Sequence, residues 1–315
     1  MPVRLLYFDE IKASINHQNP ERKVAPNDAF GIFYTSGSTG KPKGVIAGHL
    51  YKSQSAQYMS NEWFISPSDH IAMVTSVCYG AAYPSVLGAL MSGALLCIFD
   101  LKANAAQQTL DWIVNEELTV FRCTPSIFRT VFGLAPKGLI FSKLRFITLG
   151  GEPVTDGDIE LFKAHTAQDC VLINNFASTE TGSICHYPVQ HNSPPFHGFL
   201  PAGYPAPGKE ILLLDDEGRL LENGEEGEIV VRSRFLSPGY WRQPELTAQK
   251  FHADPHDPTM RLYFSGDRGR WVENGALEIL GRKDTQVKIR GFRVQLEAID
   301  LALRNLDGVE DAATI

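Results

Sequence analysis

Residues 34–45 read Tyr34-Thr35-Ser36-Gly37-Ser38-Thr39-Gly40-Lys41-Pro42-Lys43-Gly44-Val45. The apolar run at residues 29–34 predicts a buried strand, and the loop after it combines glycines, hydroxyl side chains and lysines. Glycines let backbone N–H groups approach a ligand closely, while hydroxyls and ammonium groups bind anionic oxygens. This composition predicts a site for a polyanion such as a phosphate chain.

The loop differs from the P-loop of nucleotide-binding proteins. That motif requires G-x-x-x-x-G-K-[ST], but here Thr35 stands five positions before Gly40 and Pro42 follows Lys41. The sequence therefore predicts a phosphate loop of another kind.

Composition narrows the class of protein. The chain has 315 residues, 43% of them hydrophobic and 21% charged, with a net charge of −7, which is ordinary for a globular protein and unfavourable for broad nucleic-acid binding. Its five cysteines are widely spaced and form no C-x-x-C pair, which favours reduced core thiols and a cytoplasmic location. Residues 78–99 lack charge, but glycines and a proline divide them into a helix, a turn and a strand, so we expect no membrane span.

Hydrophobic patterning predicts the fold class. Up to residue 205, strands alternate with helices, and the continuous apolar strands favour a parallel sheet covered by helices on both faces. Strands are predicted near residues 3–8, 29–34, 70–76, 94–99, 119–124, 145–149 and 170–176, and helices near 49–64, 83–91, 105–117, 125–134 and 156–165. Residues 187–208 are interpreted as a loop, and His186, His191 and His197 as polar residues in and beside it.

The pattern changes after this loop. Residues 206–281 predict a smaller β-rich subdomain with strands at 210–214, 227–232, 262–265, 269–273 and 276–280. Residues 282–315 predict a hinge and the beginning of a C-terminal α+β lid. The predicted boundaries are therefore 1–205, 206–281 and 282–315.

Four further clusters place polar residues beside predicted strands, where open α/β sheets bind ligands. They are Thr148-Leu149-Gly150-Gly151-Glu152-Pro153, Asn174-Asn175-Phe176-Ala177-Ser178-Thr179-Glu180-Thr181-Gly182, Tyr263-Phe264-Ser265-Gly266-Asp267 and residues 281–291. Each has a structural alternative. Gly150-Gly151 could form only a turn, Glu180 could stabilise the first turn of a helix, and Asp267 with Arg282 could be a surface ion pair.

Together, the clusters resemble the adenylate-forming superfamily of acyl-CoA synthetases, luciferases and the adenylation domains of nonribosomal peptide synthetases. The first loop matches the Y-T-S-G-S-T-G-x-P-K-G signature. Residues 174–180 resemble N-x-Y-G-P-T-E, residues 263–267 resemble Y-R-T-G-D, and residues 281–297 resemble the G-R-x-D-x-Q-V-K-I-R-G hinge motif. The resemblance is closest to the adenylation domains.

The resemblance implies that ATP and Mg²⁺ are used to activate a carboxylic acid as an acyl-adenylate, which then passes to the thiol of a carrier-protein phosphopantetheine or of CoA. It places the ATP-binding residues at Thr35, Ser36, Gly37, Ser38, Thr39, Gly40, Lys43, Gly151, Glu152, Asn174, Phe176, Ala177, Ser178, Asp267 and Arg282. It implies that Phe176 stacks on adenine, that Lys43, Thr179 and Glu180 are catalytic, with Glu180 holding Mg²⁺, and that Asp284 is the hinge.

The resemblance also implies a pocket for the acid, lined by Gly80, Ala81, Pro84, Arg122, Leu149, Asn175 and Ser183. Members that activate amino acids have F-D-x-S where this chain has Tyr79-Gly80-Ala81-Ala82. Without the aspartate, a buried α-ammonium lacks its counter-charge, so an ordinary α-amino acid is disfavoured. Arg122 could pair with a second oxygen of the substrate or direct its guanidinium to solvent.

Two family features are absent from these 315 residues: a large segment before the loop and a lid lysine in a P-x-x-x-x-G-K motif. We therefore expect a fragment with weak nucleotide binding and little adenylation activity on its own. The alternatives are a nucleotide-binding or interaction module without catalysis, and an unusually short acyl-CoA ligase.

Overall fold

A computed structural model describes residue 21, residues 23–35 and 42–283, the backbone of Gln286–Ile289 and Phe292–Gln295, and the single residues Leu296, Ile299, Leu303 and Thr314. The predicted strand at 3–8, residues Ser36, Gly37, Ser38, Thr39 and Gly40 of the phosphate loop, and the predicted hinge Asp284 lie outside the described residues.

The first five helices lie close to their predicted positions, and the sixth, in the β-rich part, was not predicted. They are α1 His49–Glu62, α2 Tyr83–Ser92, α3 Ala106–Asn115, α4 Pro125–Phe132, α5 Asp156–His165 and α6 Pro244–Lys250. At the start of α5, the Asp158 carboxylate accepts a hydrogen bond of 2.8 Å from the Thr155 backbone N–H, as in a capping box, and a second of 3.0 Å from the Thr155 hydroxyl.

The strands belong to several sheets. They are β1 Ala29–Thr35, β2 Lys43–Gly48, β3 His70–Met73, β4 Leu95–Ile98, β5 Val120–Cys123, β6 Phe146–Gly150, β7 Val171–Ser178, β8 Gly182–Val189, β9 Tyr204–Pro205, β10 Glu210–Leu214, β11 Gly227–Ser233, β12 Gly239–Tyr240, β13 Phe251–Ala253, β14 Arg261–Trp271, β15 Leu277–Arg282, β16 Gln286–Ile289 and β17 Phe292–Gln295.

The main sheet confirms the predicted α/β class. Its strand order within the described residues is β4-β3-β5-β6-β7-β8-β9, and the pairings from β4 to β7 are parallel. Successive side chains of a strand point to opposite faces of the sheet, so neighbouring residues pack in different hydrophobic clusters. Phe121 packs with α3, α4 and α5, whereas Val120 packs with α1 and α2. Helices therefore cover both faces.

The sheet is mixed rather than wholly parallel. β8 and β9 add antiparallel strands after β7, so the interpretation of residues 187–208 as a loop was wrong at both ends. Pro188 stands within β8, next to a sequence rich in proline and histidine that resembles a loop. The residues between Val189 and Tyr204 lie outside the named strands.

The first strand is part of a separate antiparallel sheet. β1 pairs with β2, and β2 pairs with β12, so the phosphate loop connects the two strands of a hairpin. The prediction of a buried strand was wrong in one respect: Ile32 and Tyr34 are 36% and 60% exposed. The hairpin offers one face to solvent, which a parallel-sheet strand does not.

The β-rich part has the sheet order β10-β11-β14-β13, with β15 also paired to β14. β14 is one strand, so the separate strands predicted at 262–265 and 269–273 were wrong. Gly266, at φ +77°, forms a bulge opposite β11 that lets pairing resume on both sides. The predicted domain boundaries at 205 and 281 stay predictions.

Candidate active site

A cavity of about 1850 Å³ opens at the carboxyl ends of β5, β6 and β7 and is bordered by α1 and the end of β1. This is the edge at which parallel sheets place ligands. The predicted residues that line it are Thr35, Gly80, Ala81, Pro84, Arg122, Gly151, Asn175, Ala177, Ser178, Thr179, Ser183 and Asp267. Residues proposed for the nucleotide and for the acid therefore share one cavity.

Lys43 and Glu180 form a buried ion pair beside this cavity. Lys43 Nζ lies 3.4 Å from Glu180 Oε1, and the Glu180 side chain has no exposed surface. The Tyr240 hydroxyl donates a hydrogen bond of 3.0 Å to the same oxygen, and Lys43 Nζ lies 5.0 Å from the centre of the Tyr240 ring. Burial and the Glu180 charge raise the pKa of the Tyr240 hydroxyl far above its usual range, so this group remains a donor. The residues next to the pair, Pro42 and Thr179, line the cavity.

Sheet pairing brings this cluster together from distant parts of the sequence. Lys43 is the first residue of β2, and Tyr240 of β12 pairs with Val45 of β2. Glu180 lies in the turn between β7 and β8, so the alternative that it stabilises a helix N-terminus was wrong. Gly182 closes this turn at φ +72°, where an added Cβ would lie 3.0 Å from the Tyr51 ring.

Tyr51 fixes the same turn from α1. Its hydroxyl is buried and donates a hydrogen bond of 3.0 Å to the Thr179 carbonyl oxygen. Burial raises the pKa of Tyr51, with a further contribution from the Glu180 charge, so the hydroxyl stays protonated. The contact positions Thr179, whose side chain lies on the cavity wall.

Asp267 and Arg282 face each other across β14 and β15. Arg282 Nη1 donates to Asp267 Oδ1 at 2.6 Å, and Arg282 Nη2 donates to the Ser265 carbonyl oxygen at 3.3 Å. The two side chains are only 12% and 10% exposed, so the alternative of a surface pair was wrong. Asp267 also lines the cavity.

Strand alternation separates some predicted residues from the cavity. Thr148 and Gly150 line it, but Leu149 is fully buried in the core on the opposite face of β6. The prediction that Leu149 lines the acid pocket was therefore wrong. A strand buried on both faces gives no sequence signal that distinguishes its two sides.

The same alternation governs β7. Asn175 lines the cavity, whereas Asn174 donates a hydrogen bond of 2.7 Å to the Pro201 carbonyl oxygen and Phe176 packs in the core between β7 and the β-rich part. Ala177 and Ser178 also line the cavity, and Ile184 of β8 is the extra residue where the β7–β8 pairing shifts register. Stacking of Phe176 on adenine stays a prediction, and it requires this ring, now 7% exposed, to separate from its neighbours.

The Glu152 carboxylate binds the start of α4. Its Oε2 accepts hydrogen bonds from the Ser126 backbone N–H at 2.9 Å and from the Ser126 hydroxyl at 2.5 Å. A carboxylate at a helix N-terminus is favoured by the helix dipole. Glu152 therefore holds α4 against the Gly150-Gly151 turn, and its role beside adenine stays a prediction.

The cavity wall that contains the predicted acid-pocket residues also contains cationic and aromatic residues that the sequence analysis did not identify. Lys52 of α1 lines it next to Gly80. His186 also lines the pocket, from β8, so its interpretation as a loop residue was wrong. Its Nδ1 lies 2.8 Å from the Tyr58 hydroxyl, and burial together with the nearby Arg122 lowers the pKa of His186 to about 4.

Arg122 remains inside the structure. Its guanidinium lies 5.6 Å from the centre of the Trp63 ring and 3.8 Å from Met59 Sδ, and burial lowers its pKa to about 10. The alternative that Arg122 directs its charge to solvent was therefore wrong. Cation–π contact stabilises a guanidinium in such a position.

Known proteins resemble this chain in sequence. Residues 3–241 match the family of AMP-binding enzymes. Over 317 aligned residues, 99% of this chain is 31% identical to tyrocidine synthase 2 of Brevibacillus parabrevis, and over 309 residues, 97% of it is 31% identical to a dimodular nonribosomal peptide synthase of Bacillus subtilis. The chain spans only 9% and 13% of their lengths.

A solved structure shows the same fold. It is holo-PA1221, an NRPS protein containing adenylation and PCP domains bound to a vinylsulfonamide inhibitor, with 26% identity and a TM-score of 0.84. The comparison covers 100% of this chain and 53% of that one.

The chain belongs to the AMP-binding enzyme family, the adenylate-forming ligases. Within this family its relatives are adenylation domains of nonribosomal peptide synthetases. Among the residues that the structure describes, no helix is both long and apolar enough to span a bilayer.

Proposed function

We propose that this chain supplies the ATP-binding and acid-binding parts of an enzyme that converts a carboxylic acid and ATP into an acyl-adenylate and pyrophosphate. The observation that carries the proposal is the position of the Lys43–Glu180 pair beside the cavity that also contains the acid pocket. The pair supports the proposal because its sequence neighbours Pro42 and Thr179 line the same cavity as the residues proposed for the acid.

In this reaction a carboxylate oxygen of the acid attacks the α-phosphorus of ATP. A bond forms between that oxygen and phosphorus, and the bond to the bridging oxygen of the β-phosphate breaks as pyrophosphate leaves. Both reactants are anionic, so the residues must neutralise charge and align the attack. Lys43 provides a cation for the phosphate chain, and the Thr179 turn, fixed by Tyr51, borders the site of attack.

Asp267 is proposed to bind the ribose hydroxyls. Its carboxylate is held in place by Arg282, and it lies on the cavity wall. A carboxylate accepts hydrogen bonds from both hydroxyls of a diol, whereas the arginine prevents it from moving away.

The residues present fit Mg²⁺. The Glu180 carboxylate is a hard oxygen ligand, and Mg²⁺ beside a nucleotide is commonly held by one or two carboxylates together with phosphate oxygens and water. The described residues contain no cluster of three or more His, Cys, Asp or Glu suited to a metal, so most of the ligands would come from ATP and water. When bound, Mg²⁺ neutralises phosphate charge. Glu180 would exchange part of its contact with Lys43 for the metal.

The acyl group is proposed to pass to the thiol of a phosphopantetheine arm on a carrier protein. The solved relative whose chain contains adenylation and PCP domains supports this acceptor over CoA. The thiol attacks the acyl carbon and AMP leaves. The acid itself is proposed to lack an α-ammonium, because Gly80 provides no carboxylate to pair with one.

Trapping the acyl-adenylate with hydroxylamine tests this function. The protein that carries this chain is incubated with Mg·ATP, hydroxylamine and a panel of carboxylic acids, and hydroxamate and AMP are measured. We expect both products to depend on the acid and to fall by at least about a hundredfold in Glu180→Gln. Lys143→Met, a change at an exposed surface lysine, should leave the rates unchanged. ATP cleavage to ADP, or no acid-dependent product from any member of the panel, would overturn the proposal.

A further inference from the structure

Lys52 is a buried lysine in the acid pocket to which the proposed reaction assigns no role. Its side chain is 3% exposed, and Nζ lies 4.7, 4.8 and 5.7 Å from the ring centres of Phe33, Tyr51 and Tyr83. Such a cage suits an ammonium group through cation–π attraction. Lysine is otherwise rarely buried without a partner of opposite charge.

The hydrogen bonds of this ammonium group are incomplete. Lys52 Nζ donates to the Gly80 carbonyl oxygen at 3.3 Å, and an ammonium has three donors. No carboxylate of the described residues forms an ion pair with it, and burial alone lowers the pKa of Lys52 to about 8. The group is therefore still mainly protonated at neutral pH, and the described residues leave part of its donor capacity unused.

The position of Lys52 relates it to the reacting end of the acid. A Cβ added to Gly80 would lie 3.4 Å from Lys52 Nζ and 3.6 Å from Thr179 Cγ2, so both groups border the space beside that glycine. Under the proposed function, Thr179 borders the α-phosphate and hence the carboxylate that attacks it. The atom next to that carboxylate then lies close to Lys52.

An α-ammonium in this space would face a second ammonium without an intervening carboxylate, which is repulsive in a desolvated site. An oxygen would instead accept a hydrogen bond from Lys52, and hydrogen bonds to charged donors are the stronger kind. Both effects favour an oxygen substituent over a nitrogen one.

We propose that Lys52 selects acids that carry an oxygen acceptor, an oxo or hydroxyl group, on the carbon next to the reacting carboxylate. This inference rests on the proposed function, because it takes the orientation of the acid from the role of Thr179. It goes further in naming the substrate class and the residue that recognises it.

Matched acids test the inference. Each set shares one carbon skeleton: 4-methyl-2-oxopentanoate, 2-hydroxy-4-methylpentanoate, leucine and 4-methylpentanoate form the first, and the corresponding 3-phenylpropanoate compounds form the second. The kcat/KM of ATP–pyrophosphate exchange is measured for each. We expect an oxygenated member to exceed its amino and unsubstituted counterparts by about ten- to a hundredfold. The oxo and hydroxy members show which oxygen is preferred.

Lys52→Met removes the ammonium while keeping an unbranched apolar side chain. In this variant the preference for the oxygenated acid over the unsubstituted one should fall to within about threefold, through KM for the acid, while KM for ATP stays unchanged. Lys143→Met should retain the preference. Circular dichroism and thermal unfolding establish that both variants are folded.

Calorimetric titration of the same acids, without ATP, separates the two proposals. Tighter binding of oxygenated acids to the wild type, lost in Lys52→Met, supports the inference even if no exchange occurs, in which case only the proposed function fails. Leucine or phenylalanine as the best substrate, or an unchanged preference in Lys52→Met, would overturn the inference and leave the proposed function standing.

Discussion

Lys43 Nζ lies 3.4 Å from Glu180 Oε1, in a pair whose carboxylate is completely buried. The proposed roles assign the lysine to the phosphates of ATP and the glutamate to Mg²⁺. In the absence of nucleotide, each charge neutralises the other, which lowers the cost of burying both. When Mg·ATP binds, Lys43 would contact the anionic phosphates and Glu180 would contact Mg²⁺, so each charge would again have a partner of opposite sign.

Removing one member of the pair should therefore affect folding and function differently. Lys43→Met leaves the Glu180 carboxylate buried without its lysine partner, and we expect a loss of about 3–5 kcal/mol in the free energy of unfolding. Lys43→Met/Glu180→Gln should recover most of this stability and still bind Mg·ATP at least about tenfold more weakly than wild type. Urea unfolding and calorimetric titration measure the two effects. A double variant that binds Mg·ATP like wild type would contradict the assigned roles.

The buried ammonium group of Lys52 should lower the free energy of unfolding at neutral pH. Burial lowers its pKa from the ordinary 10.5 to about 8, so between these values the unfolded state binds more protons than the folded state and stability rises with pH. Lys52→Met should be more stable than wild type at pH 7 by up to about 3 kcal/mol, and the difference should shrink by pH 9.5. Urea unfolding at both pH values measures it. A loss of stability at pH 7 would contradict this view of Lys52.

His186 should make the protein less stable as the pH falls below about 6.5. Its pKa is lowered from 6.5 to about 4 by burial and by Arg122, and its ring stacks on Tyr58 at 4.9 Å between centres. The unfolded state therefore binds more protons between pH 6.5 and 4, and this contribution is lost as the pH falls through that window. The free energy of unfolding should fall between pH 7 and pH 5 in both proteins. The fall should be smaller in His186→Gln than in wild type, by about 1–2 kcal/mol. Identical losses in urea unfolding at the two pH values would show that the ring is solvated.

Asp69 and Arg145 should contribute more to stability than surface pairs. Two Arg145 nitrogens donate to Asp69 at 2.7 and 2.8 Å, and Arg145 also donates to the Trp63 carbonyl oxygen at 2.6 Å, which joins the end of α1 to β6. Asp69 is 5% exposed, so Arg145→Met should cost about 3–5 kcal/mol. Lys143→Met removes the exposed pair with Glu117 and should cost less than about 1 kcal/mol. Equal effects in thermal unfolding would contradict this assignment.

Local sequence was sufficient for the alternating helices and parallel strands of the main sheet but not for the antiparallel pairings. The parallel strands are short apolar stretches, and turn residues separate them from the helices, so the positions of these elements were predictable. The pairing of β2 with β12 joins segments nearly two hundred positions apart, and no local pattern encodes it. The contact of Lys43 with Tyr240 is a consequence of that pairing.

Two residues named by motifs, Thr179 and Asp267, lie on the cavity wall, whereas Asn174 and Phe176, from the same motif as Thr179, pack elsewhere. A residue whose role depends on its burial in the fold could not be identified from the sequence. Lys52 stands among polar residues in α1 and has the sequence context of a surface lysine, yet the aromatic residues around it come from β1 and α2 as well as from α1. The prediction that Leu149 lines the acid pocket was wrong because β6 is buried on both faces, so its sequence does not show which face borders the cavity.

Transfer of ¹⁸O from labelled acid to AMP tests the central claim most directly. If the carboxylate attacks the α-phosphorus, one carboxylate oxygen stays on phosphorus when hydroxylamine or a thiol takes the acyl group. We therefore predict that AMP recovered after turnover of an [¹⁸O₂]carboxylate by the protein that carries this chain contains one ¹⁸O atom, by mass spectrometry. Unlabelled AMP, or label in inorganic phosphate together with ADP, would contradict acyl-adenylate formation.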